Sequence, residues 1–319
     1  MDHGKIDKKT AKGLKELRRR IAKMQIPPSV RDKSLNIATW NIRDFGKKAR
    51  KNISIHLIAE ILNQFDLIAV TEVRRNLKDL ARVMDILGPH WKVVFSDFIA
   101  DWGGNWERVA YVYDMRAAVF TGLAAEVDGP REKNNKTGEY ESLVSWWRKP
   151  YIVSFRAGSF DFMLLTAHIR WGDGEEDRIT PLKLLADWVD ERHKSDSVFD
   201  KDIIVMGDFN IPTLGSKAFK AITGKGLQMP ESLKEIPGTN LAKVSRYDQI
   251  LHLPKTAPSF SDHGGILDFY TGGWKRLFPE LALPKDKDYT WQLSDHLPLY
   301  VQVNTDLEDQ QLEQILNKP

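Results

Sequence analysis

The chain has 319 residues, of which 42% are hydrophobic, 10% aromatic and 29% charged, a composition typical of a folded globular protein. It contains no cysteine, which excludes disulfides, thiolate metal sites and cysteine nucleophiles. The formal net charge is only +3 at pH 7, so the chain as a whole is not a polycation.

Positive charge is concentrated near the N-terminus. The spacing of Leu14, Leu17, Ile21 and Met24 predicts a helix between residues 8 and 24, with an apolar stripe and basic residues on its other faces. Two interpretations stay open: a surface helix that packs on the domain through its stripe, or an arm that contacts nucleic acid or acidic lipid. We assign residues 1–30 to this basic helical extension, 31–305 to one catalytic domain and 306–319 to a polar tail.

The sequence has no apolar stretch followed by a small-residue cleavage site, and no run of about eighteen apolar residues. We therefore expect a protein without a membrane span. A cytoplasmic location and a monomeric state are the default expectations.

Beyond residue 30, short apolar runs typical of strands alternate with segments of helical periodicity. The predicted strands are 35–40, 67–71, 92–96, 109–114, 118–124, 151–155, 162–167, 202–206, 249–253 and 299–303. The predicted helices are 53–64, 77–87, 181–193 and 215–223. Residues 127–142 are predicted to be a polar loop, and 254–289 an irregular region. This order of elements favours a layered α/β protein.

Polar side chains lie next to several predicted strands, and strand ends in such a protein converge on one edge of a sheet. The set comprises Asn41, Glu72, His168, Asp208, Asn210, Asp248, Asp295 and His296. Each residue taken singly is explained by a turn or a helix cap, so only their joint occurrence indicates a site. Oxygen ligands without cysteine favour magnesium, manganese or calcium over structural zinc.

Six ordered segments carry these residues and resemble the endonuclease/exonuclease/phosphatase superfamily, in particular its deoxyribonuclease-like branch. The segments are 37–43 (IATWNIR), 68–74 (IAVTEVR), 164–170 (LLTAHIR), 205–210 (VMGDFN), 246–250 (RYDQI) and 294–298 (SDHLP). The resemblance covers residues from about 35 to 303. It implies an α/β fold, a four-layered α/β/β/α sandwich of two mixed β-sheets flanked by helices.

The resemblance also implies roles for individual residues. Glu72 is the main ligand of Mg²⁺ or Mn²⁺, and Asn41 and Asp295 adjoin the ion, with Ca²⁺ as a further structural or activating ion. Asp208 and Asn210 orient the attacking water and a phosphoryl oxygen.

The two histidines have separate implied roles. His296 is paired with Asp248, while His168 hydrogen-bonds another phosphate oxygen or assists the leaving group. An imidazole held by a carboxylate can accept a proton from water at neutral pH. The choice of Asp208 or His296 as the general base stays open.

Within the superfamily, the position held by His168 separates branches. His168 resembles deoxyribonuclease-like and several phosphatase members and argues against abasic-site repair. Glu107 resembles the residue that orients the catalytic histidine in the deoxyribonuclease branch. Arg74 resembles an arginine placed against DNA, and Arg170 extends this basic substrate-binding surface.

We predict a metal-dependent endonuclease that hydrolyses DNA with low sequence specificity, so the expected partner is nucleic acid. One alternative is a phosphatase or phosphodiesterase acting on a small-molecule or lipid phosphoester. The other is a non-catalytic nucleic-acid-binding module.

Overall fold

The computed structural model describes residues 1–100, 103, 105–142, 146–198, 200–281, 283–308, 312 and 315–316. The helices in this part of the chain are α1 Lys8–Ala22, α2 Asn52–Leu62, α3 Lys78–Leu87, α4 Glu176–Lys194, α5 Lys217–Thr223 and α6 Asp286–Thr290. Its strands are β1 Ser34–Phe45, β2 Leu67–Arg74, β3 Trp91–Phe95, β4 Glu107–Asp114, β5 Val119–Glu126, β6 Arg131–Lys133, β7 Tyr140–Ser142, β8 Tyr151–Ala157, β9 Phe160–His168, β10 Ile203–Asp208, β11 Asp248–His252, β12 Phe260–Ile266 and β13 Leu299–Asn304.

Two large sheets form the centre of the molecule. Sheet A has the strand order β12-β13-β1-β2-β4-β3, and sheet B has the order β11-β10-β9-β8-β5. Each sheet is mixed, because β1 and β2 run parallel in sheet A and β9 and β10 run parallel in sheet B. A parallel pair needs a long crossover connection, which α2 supplies in sheet A and α4 in sheet B.

The two sheets pack face to face. Ile37, Leu67 and Tyr111 of sheet A share one apolar core with Phe155 and Phe162 of sheet B. A second core lies between sheet A and helices α1 to α3, and a third lies between sheet B and helices α4 and α5. The predicted four-layered α/β/β/α sandwich is therefore confirmed.

Helix α1 belongs to the helical layer over sheet A. Its stripe residues Leu14, Leu17 and Ile21 are buried in that layer. The buried Arg20 guanidinium donates to the backbone carbonyls of Phe269, at 2.6 Å, and Gly273, at 3.0 Å. The stripe thus packs on the domain, as the first interpretation of this helix expects. A role for its basic face stays a prediction.

Three regions differ from the sequence prediction. The predicted polar loop 127–142 contains the hairpin β6–β7, whose six strand residues are all exposed and so show no apolar alternation. The predicted irregular region 254–289 contains β12, which pairs with β13, and most of α6. Helix α4 begins at Glu176 and includes Pro181, so the predicted start at 181 is wrong.

No helix in the described part of the chain is both long and apolar enough to cross a bilayer. Of the predicted C-terminal tail, residues 309–311, 313, 314 and 317–319 lie outside the described residues.

Candidate active site

The site forms where the carboxyl ends of the two parallel strand pairs meet. In sheet A, Asn41 of β1 lies beside Thr71 of β2, and Glu72 follows within an interruption of the β2–β4 pairing. Glu72 has a backbone φ of 60°, a conformation that costs a non-glycine residue free energy. The interruption turns the Glu72 side chain from the regular strand alternation toward the edge of the sheet.

Sheet B reaches the same edge through a glycine. Gly207 has a φ of 134° and lies beside Ala167 in the parallel β9–β10 pair. A Cβ at this position would lie 2.1 Å from the carbonyl oxygen of Ala167, so only glycine lets the two strands approach this closely. The next residue, Asp208, is thereby paired in register with His168.

Asp208 is the centre of the cluster. Its Oδ2 atom accepts from Asn41 Nδ2 at 2.9 Å, and it lies 3.6 Å from His168 Nε2 and 3.8 Å from His296 Nε2. Burial opposes ionisation, but the charges of His296 and His168 prevail and lower the pKa of Asp208. The carboxylate is therefore ionised at neutral pH and faces both imidazoles.

His168 is held from behind by Glu107. Glu107 Oε2 lies 2.9 Å from His168 Nδ1, which leaves Nε2 directed toward Asp208. Burial would raise the pKa of Glu107, but His168, Arg148 and Arg74 together lower it to about 2. A permanently ionised Glu107 fixes the Nδ1–H tautomer of the imidazole.

His296 forms the second imidazole–carboxylate pair. Its Nδ1 atom lies 2.8 Å from Oδ2 of the buried Asp248. Burial alone would lower the pKa of His296, but the Asp248 and Asp208 carboxylates raise it well above its ordinary value. Burial raises the pKa of Asp248 in turn. The pair therefore holds one proton next to Asp208.

Glu72 and Asn41 have the donor chemistry of a hard-cation site. Asn41 Nδ2 donates to Glu72 Oε1 at 2.9 Å, and the Asp44 amide donates to Glu72 Oε2 at 2.7 Å. Asn41 Oδ1 is buried without a hydrogen-bond partner. A buried acceptor left unpaired is costly, and a cation coordinated beside Glu72 would satisfy it.

A second group of potential ligands is nearby. Asp208, Asp248 and His296 each present a ligand atom within 4.8 Å of the others, and they are the one such group of three found in the described residues. A metal here would compete with the 2.8 Å hydrogen bond between His296 and Asp248. We therefore favour the Glu72–Asn41 position.

The remaining sequence-predicted residues lie around this centre. Asp295 is half-exposed and 3.7 Å from Arg43. Asn210 donates its side-chain amide to the carbonyl of Ile169 at 2.7 Å and its backbone amide to Asp208 at 3.0 Å.

The two predicted substrate-binding arginines are both engaged within the protein. Arg74 is buried, hydrogen-bonds Asp44 and lies 3.4 Å from Glu107. Arg170 stacks at 3.6 Å on the ring of Trp147, beside a neighbouring pocket. Their substrate-binding roles stay predictions.

Sequence reasoning assigned no individual role to three residues that support the site. Arg148 pairs with Glu107 at 2.6 Å, and Asn105 donates to the same carboxylate at 2.7 Å. Asp44 pairs with Arg74 and donates its amide to Glu72. The proximity of Asn105 to Glu107 and of Asp44 to the 37–43 segment was the available signal, whereas Arg148 is 41 residues from Glu107 in sequence and had no such signal.

Most of these side chains line one open cleft of about 370 Å³, which also includes Arg43, Lys47 and Trp171. Asn41 and Asp248 are buried and contact residues of its lining, and Arg170 lines the neighbouring pocket. Two hydrogen bonds of the site join the two sheets, Asn41–Asp208 and Glu107–His168, and a third, Asp248–His296, joins sheet B to the segment that precedes β13 of sheet A. The cleft thus brings carboxylates, two oriented imidazoles and several cations to one edge of the sandwich, an arrangement suited to an anionic substrate.

Comparison with known proteins identifies the class. The model of the Endonuclease/Exonuclease/phosphatase family matches residues 38–296, so the chain belongs to this family of metal-dependent phosphoesterases. Family members are generally hydrolases of phosphoester bonds. No curated protein shows a significant match to the chain.

Solved structures similar to this chain share its fold. The human Nocturnin catalytic domain has a TM-score of 0.57 and 15% identity, covering 88% of this chain and 98% of that one. D. rerio TDP2 complexed with a single-strand DNA product has a TM-score of 0.56 and 17% identity, and the match covers 85% of this chain and 99% of that one. The mannosyl-6-phosphatase of Bacteroides thetaiotaomicron has a TM-score of 0.52 and 16% identity, and the match covers 84% of this chain and 99% of that one.

Proposed function

We propose that this protein is a divalent-metal-dependent endonuclease that hydrolyses DNA phosphodiester bonds with low sequence specificity. The observation that carries the proposal is the complete set of cross-sheet pairs in an open cleft with arginines along its wall. A phosphodiester is anionic and repels hydroxide. A site that hydrolyses it must neutralise that charge while delivering water in line.

Glu72, Asn41 and Asp295 would hold Mg²⁺ or Mn²⁺, with Ca²⁺ as a further activating ion. When bound, such an ion neutralises phosphate charge and lowers the pKa of a coordinated water. The unpaired Asn41 Oδ1 beside Glu72 supports this assignment.

Asp208, Asn210 and His296 handle the attacking water. Asp208 Oδ2 and His296 Nε2 face each other at 3.8 Å. Because the pKa of His296 is raised and that of Asp208 is lowered, the ionised Asp208 carboxylate accepts the water proton beside a protonated imidazole. Asp248 holds the imidazole in place from its Nδ1 side. Asn210 is fixed by Ile169 and orients a phosphoryl oxygen with its remaining N–H.

His168 acts on the opposite side of the phosphate. Glu107 accepts from the Nδ1–H of His168, and in the protonated imidazolium form the Nε2–H can donate to a non-bridging oxygen or to the leaving oxygen. Arg148 lies against the same carboxylate and lines the cleft, where its positive charge attracts the phosphate backbone.

DNA is the proposed substrate for two reasons. The cleft is open and lined by Arg43, Arg74 and Arg148, which suits an extended polyanion. A structure of similar fold, D. rerio TDP2, is complexed with a single-strand DNA product. We propose that the protein acts as a monomer.

Nicking of supercoiled plasmid tests the proposal. We expect nicking with Mg²⁺ or Mn²⁺, and its loss with a chelator and in His296→Ala. His263→Ala, which removes an exposed histidine on β12, is the matched control and should retain activity. Plasmid left intact across these metals by folded protein would overturn the endonuclease assignment.

A second candidate is hydrolysis of a small phosphoester. It is favoured by the structural likeness to a mannosyl-6-phosphatase and by a cleft volume sufficient for a phosphorylated sugar. A panel of sugar phosphates and generic phosphomonoesters distinguishes the two, because an endonuclease should hydrolyse diesters in preference. A non-catalytic binding module would hydrolyse neither class.

A further inference from the structure

One indole on the rim of the cleft is surrounded by three cations. The Arg43 guanidinium lies 4.4 Å from the centre of the Trp291 ring, the Lys48 ammonium 5.1 Å and the Lys47 ammonium 5.5 Å. Each cation is attracted to the negative face of the aromatic ring. The aromatic ring therefore holds together charges that repel one another.

The protein supplies too little negative charge to balance this cluster. Arg43 is 3.7 Å from Asp295, and Lys47 is 3.4 Å from Asp44. Asp44 is already paired with Arg74. Lys48 has no carboxylate within 4.0 Å in the part of the chain that the structure describes. The three positive charges are thus only partly neutralised by two nearby carboxylates, one of which also pairs with Arg74.

The cluster is continuous with the proposed active site. Arg43 and Lys47 line the same cleft as Glu72 and His296. Trp291 is half-buried, follows α6 and lies only four residues before Asp295. An anion bound by the lysines would consequently lie beside the phosphate that the proposed catalytic residues contact.

We propose that Lys47, Lys48 and Trp291 form a subsite for a phosphate that flanks the scissile one. The inference rests on the proposed phosphodiesterase function and extends it, since the substrate is then a strand with consecutive phosphates. Lys47 and Lys48 contact the flanking phosphate, and the Trp291 face positions their ammonium groups.

The decisive measurement is a specificity ratio. We compare kcat/KM for a single-stranded DNA oligonucleotide with kcat/KM for bis-para-nitrophenyl phosphate, which has one phosphodiester and no flanking phosphate. In the double variant Lys47→Gln/Lys48→Gln, the ratio should fall about tenfold or more, because two phosphate contacts are lost. The double variant Lys220→Gln/Lys225→Gln, which removes the same charge from exposed positions around α5, should keep the wild-type ratio.

Binding without turnover provides an independent readout. The affinity for a labelled oligonucleotide is measured by fluorescence anisotropy in chelator, over a range of salt concentrations. Losing the neutralisation of the one flanking phosphate should reduce the slope of log affinity against log salt by about 0.7 for single strands. Trp291→Leu should lower the specificity ratio, and Trp291→Phe, which keeps an aromatic face, should largely restore it.

The failures of the two proposals are distinguishable. Wild-type protein that hydrolyses neither the oligonucleotide nor the small diester contradicts the proposed function. Wild-type protein that hydrolyses both, with an unchanged ratio and salt slope in the Lys47→Gln/Lys48→Gln variant, overturns the subsite alone.

Discussion

The molecule contains two strand–helix–strand units that meet at the site but are packed differently. In sheet A, helix α2 crosses between β1 and β2 and has nine of its eleven residues buried, because α1 lies over it. In sheet B, helix α4 crosses between β9 and β10 and buries five of its nineteen residues, leaving one face to solvent. The unit proposed to hold the ion is thus enclosed on both sides, whereas the unit that presents Asp208 and His168 is covered by a single layer.

The largest expected effect separates the chemistry of the two units. Glu72→Gln in sheet A and Asp208→Asn in sheet B should each lower kcat by about 10²- to 10⁴-fold. Titration calorimetry with Mn²⁺ should show weakened binding mainly in Glu72→Gln. Equal loss of affinity in both variants would instead favour an ion on Asp208.

The next effect compares the packing of the two helices. Ile58→Ala in α2 should cost about 4 kcal/mol of unfolding free energy, and Leu185→Ala in α4 about 2–3 kcal/mol. Both side chains are fully buried, but α4 can shift toward the vacated volume because its outer face is in solvent. Urea unfolding measures the difference. A larger cost in α4 would contradict the comparison.

A smaller effect concerns the Glu107–His168 link between the sheets. The pKa of Glu107 is lowered from 4.5 to about 2, so its ion pairs stabilise the fold above pH 4.5 and are lost as the pH falls toward 2. Glu107→Gln should therefore lower the free energy of unfolding by about 2–3 kcal/mol near neutral pH. The difference in unfolding free energy between variant and wild type should shrink as the pH falls. Unfolding experiments across this pH range test it, and a gap independent of pH would refute the ionic contribution.

The smallest expected effect concerns the N-terminal cap of α1, the helix that packs over α2. Asp7 caps α1 by accepting from the amide of Thr10 at 2.7 Å. Asp7→Ala should cost about 1 kcal/mol of unfolding free energy. The exposed neighbour Lys8 is the control, and Lys8→Ala should change stability by less than about 0.5 kcal/mol.

The strands that carry the site could be predicted from the sequence because many of their buried positions are occupied by apolar residues. Strands β2, β9 and β10 are largely apolar runs, as expected for strands covered on both faces, whereas β1 intersperses apolar residues such as Leu35, Ile37 and Trp40 with polar ones. Strand β12 could not be found this way. Its residues include Asp262, His263, Gly264 and Gly265, and only pairing with β13 makes them a strand.

The candidate site could likewise be predicted only in part from the sequence. Residues next to predicted strands could be grouped at one edge, since the carboxyl ends of parallel strands converge. The contact of Asn41 with Asp208 could not be foreseen, because it depends on how two separate sheets pack. The cations around Trp291 are likewise invisible to strand patterns, since their charges are brought together by a loop and the end of a short helix.

All strands of sheet B lie between strands of sheet A in the sequence, and this order determines when each part of the site is synthesised. Sheet B is built entirely from residues between β4 and β12, and sheet A is completed by β13 near the C-terminus. Asp295 and His296 immediately precede β13, so they leave the ribosome after the rest of the cluster. Because synthesis proceeds from the N-terminus, a nascent chain lacks its second imidazole until β1 to β12 have all been made. The cluster of side chains at the shared edge therefore cannot assemble before the strands of both sheets other than β13 have been synthesised.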